Sequence, residues 1–305
     1  MESVLVTGAN GQLGNALRNC VERMVGFTFF FTDVDTLDIC DKHQLEDFVQ
    51  SNDISTIINF AAYTAVDRAE DEPELCARIN CDAVRIIGEV AASVHARVIH
   101  VSTDYVFDGR GIRLNNEKDA TPAQQIFGLI HPYRETDVTN PVSVYGKTKL
   151  AGEQVLLATN ENSIILRTAW LYYETGTNFV KTMLRLGKER GTVEVVADQR
   201  GTPTYAGDLA KVIKTILTAN RFIQGIYHYT NEGECSWYDF AVKIFELSGI
   251  SCIVNPLTTA EYPTRAVRPA YSVLDKTKIK VTFGILIPKW EDSLSANCAN
   301  FRNIF

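Results

Sequence analysis

The sequence predicts an α/β fold: a doubly wound parallel sheet joined to a smaller α/β substrate domain. Three observations predict it. Short apolar runs alternate with stretches of helical spacing over the first two thirds of the 305 residues, the rhythm of βαβ units. Several runs are apolar almost throughout, as in Thr56-Ile57-Ile58-Asn59-Phe60, which suits strands covered on both faces. The length allows one large or two modest domains, enough to bury a core without disulfide or metal staples.

Taken in order, residues 3–7 open as a strand. Gly8-Ala9-Asn10-Gly11-Gln12-Leu13-Gly14 follows, then helical spacing to about residue 24. A second strand covers 27–31 and closes on Thr32-Asp33. Residues 41–50 read as a helix with Leu45, Phe48 and Val49 on one side, 54–60 as a strand, 74–95 as a helix and 97–101 as a fourth strand. The segment 109–140 carries Gly, Pro, Asn and charges with no clean period, and a loop that long inside a domain is often functional. Helices are then expected at about 142–158, 178–188, 208–219 and 236–247, the last capped by Ser236, with strands at 163–167, 193–196 and 226–229. The last third alternates less regularly, with prolines at 256, 263, 269 and 288. The expected division gives 1–170 plus about 205–230 to a dinucleotide-binding domain, and about 171–204 and 231–305 mainly to a substrate-binding domain.

Composition excludes several function classes. Hydrophobic residues make up 46% and charged residues 22%, ordinary for a globular chain. A net charge of −7 and a pI near 5.4 argue against a nucleic-acid partner. The seven cysteines are scattered, odd in number and without a C-x-x-C pair, which fits reduced thiols rather than a disulfide framework or a metal site. No basic leader with a long apolar segment is present, and no run approaches the ~18 apolar residues of a membrane helix. A cytoplasmic protein with no membrane partner is expected.

The glycine loop carries the first chemistry. Gly8, Gly11 and Gly14 stand between a strand and a helix: the first allows a tight turn, the second lets backbone approach a diphosphate, and the third lets helix pack on sheet. Free N–H groups at the helix start favour the anion. Asp33, at the end of the second strand, stands where a ribose hydroxyl is expected. The pattern is that of a Rossmann-type dinucleotide site, and a carboxylate with no arginine beside it leans towards NADH over NADPH.

The second element is Tyr145-Gly146-Lys147-Thr148-Lys149. Tyr145 and Lys149, four apart, share a helix face, and a nearby ammonium is expected to lower the phenol pKa. The third is Val101-Ser102-Thr103-Asp104-Tyr105-Val106-Phe107, where a strand-end hydroxyl can bond the same carbonyl oxygen. Glycine loop, hydroxyl and Tyr-Lys pair together point to hydride transfer with a protein proton donor.

With these residues in place, the chain resembles the extended short-chain dehydrogenases/reductases, and among them the dTDP-4-dehydrorhamnose reductase family. The stretches that carry the resemblance run nearly end to end: Thr7 to Gly14, Ala61-Ala62-Tyr63-Thr64-Ala65-Val66-Asp67, Ser102 to Phe107, Tyr145 to Glu153, Arg167-Thr168-Ala169-Trp170, Asn178 to Leu184, Asp198-Gln199-Arg200-Gly201-Thr202-Pro203-Thr204, and Arg268-Pro269. The resemblance implies NADPH or NADH as cofactor and a dTDP-linked keto sugar as substrate. It implies Tyr145 as proton donor, Lys149 as its electrostatic partner and ribose anchor, and Thr103 as the carbonyl-oxygen partner. It places Asn10, Gln12, Leu13, Asp38, Ile39, Ala61, Ala62, Tyr63 and Thr64 with the three glycines along the cofactor. Asp104, Tyr105, Trp170, Asn178 and Arg268 fall on the sugar-nucleotide side. Reduction or epimerisation of another nucleotide-linked keto sugar, and a non-catalytic regulatory subunit on the same fold, remain open alternatives.

Two departures from the family pattern stand out. Members that dimerise through magnesium use a glutamate just after the third glycine; here Asn15 and Ala16 occupy those positions, against a magnesium-bridged pair, so a monomer or a homodimer of another kind is expected. Residues 111–134 are longer than the usual connection, and their apolar patch Ile126-Phe127-Gly128-Leu129-Ile130 is expected to be buried, as a lid over the cleft.

Overall fold

The computed structural model describes residues 1–113 and 130–302. Six strands form one all-parallel sheet: β1 (Glu2–Thr7), β2 (Phe27–Phe31), β3 (Ile54–Asn59), β4 (Arg97–Thr103), β5 (Ser163–Thr168) and β6 (Gly225–His228), in the spatial order β6-β5-β4-β3-β1-β2. β1 therefore has β2 on one side and β3 on the other. The chain winds in opposite directions from that point, and a crevice opens beyond the strand carboxyl ends there.

The alternation of side chains explains the two covered faces. Val4, Val6, Ile58, Ile99, Ile164 and Leu166 point to one face; Leu5, Ile57, Val98 and Ile165 point to the other. The first face packs against α1 (Gln12–Val21), α5 (Phe179–Arg190), α6 (Ala206–Leu217), α7 (Trp237–Ser248) and α8 (Trp290–Arg302). The second packs against α2 (Lys42–Ser51), α3 (Ala83–Ser93) and α4 (Val144–Thr159). Side chains cap the helix starts: Asp41 accepts from Gln44 N–H, Ser143 from Gly146, Asn178 from Lys181, and Ser236, the cap expected from the sequence, forms a capping box with Asp239.

Two elements differ from expectation for visible reasons. The helix expected over 74–95 is broken into Pro73–Ala77, a π turn at Arg78–Asp82, and α3. The π turn swings Asn80 inward, where its amide accepts from Tyr63 N–H (2.9 Å) and donates to the Tyr63 carbonyl (3.1 Å). β4 continues to Thr103 because its ladder with β5 continues, pairing Ser102 with Arg167 and Thr103 with Thr168.

A second, two-stranded parallel sheet pairs Thr192–Val196 with Ile253–Leu257 and packs against α5 and α7. Its Val193 and Val195 belong to the same apolar cluster as Val4, Val6 and Leu13, so one continuous core runs from the large sheet into the small one. At the base of the long insertion, Ile112–Arg113 pairs antiparallel with Ile130–His131. Tyr133, buried and stacked on Phe107 at 4.1 Å, accepts the Gly111 N–H (2.7 Å) and donates to Asp108 (3.0 Å). Residues 114–129, and with them the Ile126–Leu129 part of the expected lid, lie outside the described residues. Among the described residues no helix is long and apolar enough to cross a membrane, and no group of three or more His, Cys, Asp and Glu side chains is placed to hold a metal.

Candidate active site

A cleft of about 1010 Å³ lies beyond the carboxyl ends of β1, β3, β4 and β5. It brings together Gly8, Gly11, Gln12, Leu13, Asp33, Asp38, Ile39, Ala61, Ala62 and Thr64 at one end, and Thr103, Asp104, Tyr105, Tyr145, Lys149 and Trp170 at the other.

The first end fits a dinucleotide by an observation on the loop itself. Gly8 has φ +65°, and a Cβ there would lie 2.5 Å from Ala61 N; a Cβ on Gly14 would lie 2.4 Å from the Ala9 carbonyl oxygen. The loop is thus pressed onto β3 and onto its own helix, which only glycine permits. Gly11 is the N-cap of α1 and gives it no side-chain cap, so the first amides of the helix are left for a ligand anion. Asp33 holds the loop from the far side: one carboxylate oxygen accepts Asn10 N–H and the other Val34 N–H, each at 2.9 Å. Gly8→Ala is expected to lower Tm and weaken cofactor binding together. A left-handed non-glycine residue costs about 1–2 kcal/mol before the clash is counted. A melting curve and an NADH fluorescence titration both matching wild type would contradict this.

The reactive end is assembled by three elements. Thr103 ends β4, and its hydroxyl accepts Tyr105 N–H (3.2 Å) and donates to one oxygen of Asp104 (3.0 Å). The other Asp104 oxygen is buried beside Ser272, and burial pushes the carboxyl up to about 6 against the pull of the Ser272 and Thr103 hydroxyls. α4 brings Tyr145 to the same place. Gly146 allows that approach, since a Cβ there would lie 2.2 Å from the Tyr105 carbonyl oxygen. The Tyr145 ring meets Tyr105 edge-on, centroids 5.5 Å apart.

Lys149, one turn on, is buried. Its Nζ donates to the Val101 carbonyl (2.7 Å) and lies 3.3 Å from His100 Nε2. Burial pulls the lysine down to about 8, against the opposing pull of Glu153. The expectation that the ammonium lowers the Tyr145 phenol needs correction. Burial dominates and pushes the phenol above its usual range; the Thr103 hydroxyl pulls it down, while Asp104 and Tyr105 add to the rise. The phenol is therefore held protonated, which is the form a proton donor requires.

Five residues assigned from sequence do not line the cleft directly. Asn10 and Gly14 shape the loop from behind, through Asp33 and Ala9. Tyr63 turns its hydroxyl to Glu72 (2.7 Å) while Asn80 holds its backbone. Asn178 caps α5, and its Nδ2 donates to Gln12 (2.9 Å) and to the Tyr173 carbonyl (2.6 Å). Arg268 pairs with Asp67 and donates to the Tyr105 hydroxyl (3.0 Å). Trp170 lies in the cleft with φ +47° and stacks on Trp237 at 3.6 Å; a Cβ on Gly201 would lie 2.6 Å from Trp170 Cε2.

Sequence reasoning missed Trp237, Asn80, His100 and Arg78, which lines the rim near Asp38 and Cys40. Trp237 follows directly on the Ser236 cap, and Asn80 lies inside an otherwise regular helical pattern, so neither carried a local signal.

The RmlD substrate binding domain family model matches residues 1–303. The chain belongs to this family. A dTDP-4-dehydrorhamnose reductase of Aggregatibacter actinomycetemcomitans is 42% identical over 305 residues, covering 96% of this chain and 97% of that protein. The crystal structure of a dTDP-4-dehydrorhamnose reductase from Clostridium acetobutylicum aligns with TM-score 0.87 at 41% identity, over 96% of this chain and 97% of that one. That from Bacillus anthracis, in complex with NADP, aligns with TM-score 0.85 at 37% identity, over 97% and 98%. In this RmlD family member the parallel sheet, glycine loop and reactive cluster therefore occur in a chain matched almost end to end.

Proposed function

We propose that this protein is a dTDP-4-dehydrorhamnose reductase, reducing the 4-keto group of dTDP-4-dehydro-L-rhamnose to give dTDP-L-rhamnose. The observation that carries the reading is the meeting of Thr103, Tyr145 and Lys149 in the cleft that the glycine loop closes at its other end. Gly8, Gly11, Gln12, Leu13, Asp33, Asp38 and Ile39 hold the adenosine-diphosphate half of the cofactor, and Ala61, Ala62, Thr64 and Lys149 hold the nicotinamide half. The bound nicotinamide supplies the hydride.

The chain's own groups supply the rest. The Thr103 hydroxyl turns its single O–H from Asp104 to the carbonyl oxygen and polarises it, and Tyr145 delivers the proton as charge develops there. Lys149 fixes the cofactor ribose and offsets the phenolate that forms. Asp104, which lines the cleft beside Thr103, accepts a sugar hydroxyl, and the Trp170–Trp237 stack gives the sugar a rigid wall. Arg268 and Asn178 stand behind the cleft wall and serve the nucleotide end through the lining residues they hydrogen-bond, Tyr105 and Gln12. Residues 1–170 and about 205–230 form the cofactor half, about 171–204 and 231–305 mainly the substrate half, and the enzyme works in the cytoplasm as a monomer or homodimer.

Purified protein mixed with dTDP-4-dehydro-L-rhamnose and NADH should consume the cofactor, followed at 340 nm, with dTDP-L-rhamnose as product. Turnover only with a different nucleotide base or sugar would replace the substrate assignment; no turnover with any nucleotide-linked keto sugar would refute the enzyme reading. NADH should serve at least as well as NADPH, because Asp33 lines the cleft at the end of β2 with no arginine adjacent in sequence. A tenfold or larger kcat/KM preference for NADPH would overturn this and direct attention to Arg78.

A further inference from the structure

Trp170 occupies a backbone position that its own side chain disfavours. The chain leaves β5 at Thr168, turns at Trp170 and enters a short parallel ladder that pairs Leu171–Tyr172 with Thr204–Tyr205. The Trp170 carbonyl accepts the Thr204 N–H (3.1 Å), and the turn holds Trp170 at φ +47°. Glycine would take that angle without strain, yet the largest side chain stands there. Such strain persists only where the surroundings over-determine it, and it gathers at ligand clamps.

The surroundings come from one place. Arg200-Gly201 pairs antiparallel with Cys235-Ser236, and Trp237 follows at the start of α7, where Ser236 and Asp239 close the capping box. Trp237 lies flat on Trp170, with ring centroids 3.6 Å apart and planes 12° from parallel. Phe179, at the start of α5, backs Trp237 at 4.7 Å. Gly201 bears on the Cε2–Cζ2 side of the Trp170 indole: a Cβ there would lie 2.6 and 2.7 Å from those atoms. One short ladder thus carries both groups that fix the ring, and the ring itself lies in the cleft.

We propose that Trp237 is a positioning residue for the sugar nucleotide: it acts through Trp170, holding the strained indole in its binding position before the substrate arrives. A wall that is already formed costs no ordering when the ligand binds, so its loss is felt in affinity for the sugar nucleotide more than in hydride transfer. Without the stack, Trp170 relaxes toward negative φ and its ring leaves the wall. The inference rests on Trp170 as a sugar-side residue, and the tests separate the two.

Steady-state kinetics with dTDP-4-dehydro-L-rhamnose and NADH reads the outcome. Trp237→Ala should raise KM for the sugar nucleotide about tenfold, the scale of one aromatic stack, with a smaller change in kcat and wild-type NADH affinity. Trp237→Phe keeps a flat ring and should recover most of the loss; an equal loss in both overturns the stacking role. Trp170→Ala with Trp237→Ala should be no worse than Trp170→Ala alone, since Trp237 then has nothing to hold. Trp237→Ala also takes a packing partner from Phe179, so Gly201→Ala tests the same point from the other side. It should raise KM when Trp170 is present and add nothing once Trp170 is alanine. A wild-type KM in Trp237→Ala, or in Gly201→Ala if Trp237→Ala does not fold, overturns the proposal. Effects of Trp170→Ala and Trp237→Ala that multiply overturn it too, because Trp237 would then meet the sugar itself. A wild-type KM in Trp170→Ala overturns the reading of Trp170 beneath it.

Discussion

Tyr145→Phe is expected to lower kcat by about 10²–10⁴-fold, the usual range for loss of a general acid, while NADH affinity stays within a few-fold of wild type. Only a hydroxyl is removed, and the ring that packs edge-on against Tyr105 is kept. The buried phenol is held protonated, so this variant deletes a proton source and leaves the charge of the resting site unchanged. Lys149→Met should lower turnover and also weaken NADH binding, since Nζ is the group directed from α4 toward the cofactor half of the cleft. Steady-state kinetics with a direct NADH titration distinguishes them. Turnover of Tyr145→Phe near wild type would remove the phenol from the mechanism.

The second large effect lies behind the site. Arg167 on β5 meets Glu153 on α4 through two hydrogen bonds, 2.9 and 2.6 Å, with both side chains almost fully buried. Ser102 donates to the same carboxylate at 2.5 Å, so β4, β5 and α4 are tied together one residue behind Thr103. Phe107 lies under the guanidinium at 5.2 Å, and His228 Nε2 sits 3.4 Å from Arg167 Nη1. Burial and Arg167 pull His228 down to about 3, which keeps it neutral and able to accept. Arg167→Leu leaves the Glu153 carboxylate buried without its cation and is expected to cost about 3–5 kcal/mol. The double variant Arg167→Leu with Glu153→Leu removes both charges and should recover at least half of that loss. Urea unfolding measures both. A single variant within about 1 kcal/mol of wild type would show that the pair is replaceable.

The legible parts of this protein have short-range causes. The doubly wound sheet could be read because β1, β3, β4 and β5 are apolar on both faces and the intervening helices carry one apolar side. The glycine loop could be read because Gly8 must take φ +65° against Ala61. Ser236 announced its helix because a serine three residues before Asp239 can exchange hydrogen bonds with it. The π turn at Arg78–Asp82 had no such mark: Asn80 is drawn inward by the Tyr63 backbone, 17 residues away in sequence.

By itself the sequence determined the fold class, the order of the main strands and helices, and the residues of the three chemical motifs, since each follows from periodicity or from what one side chain does to its own backbone. Only the tertiary structure decided what surrounds those motifs. Arg268 turns to Asp67 and Tyr105, Trp237 stacks on Trp170, and burial rather than Lys149 governs the Tyr145 phenol. The physical reason is common to all three: desolvation and hydrogen-bond partnership are set by distant segments, and a residue's type does not say which of them the fold will place beside it.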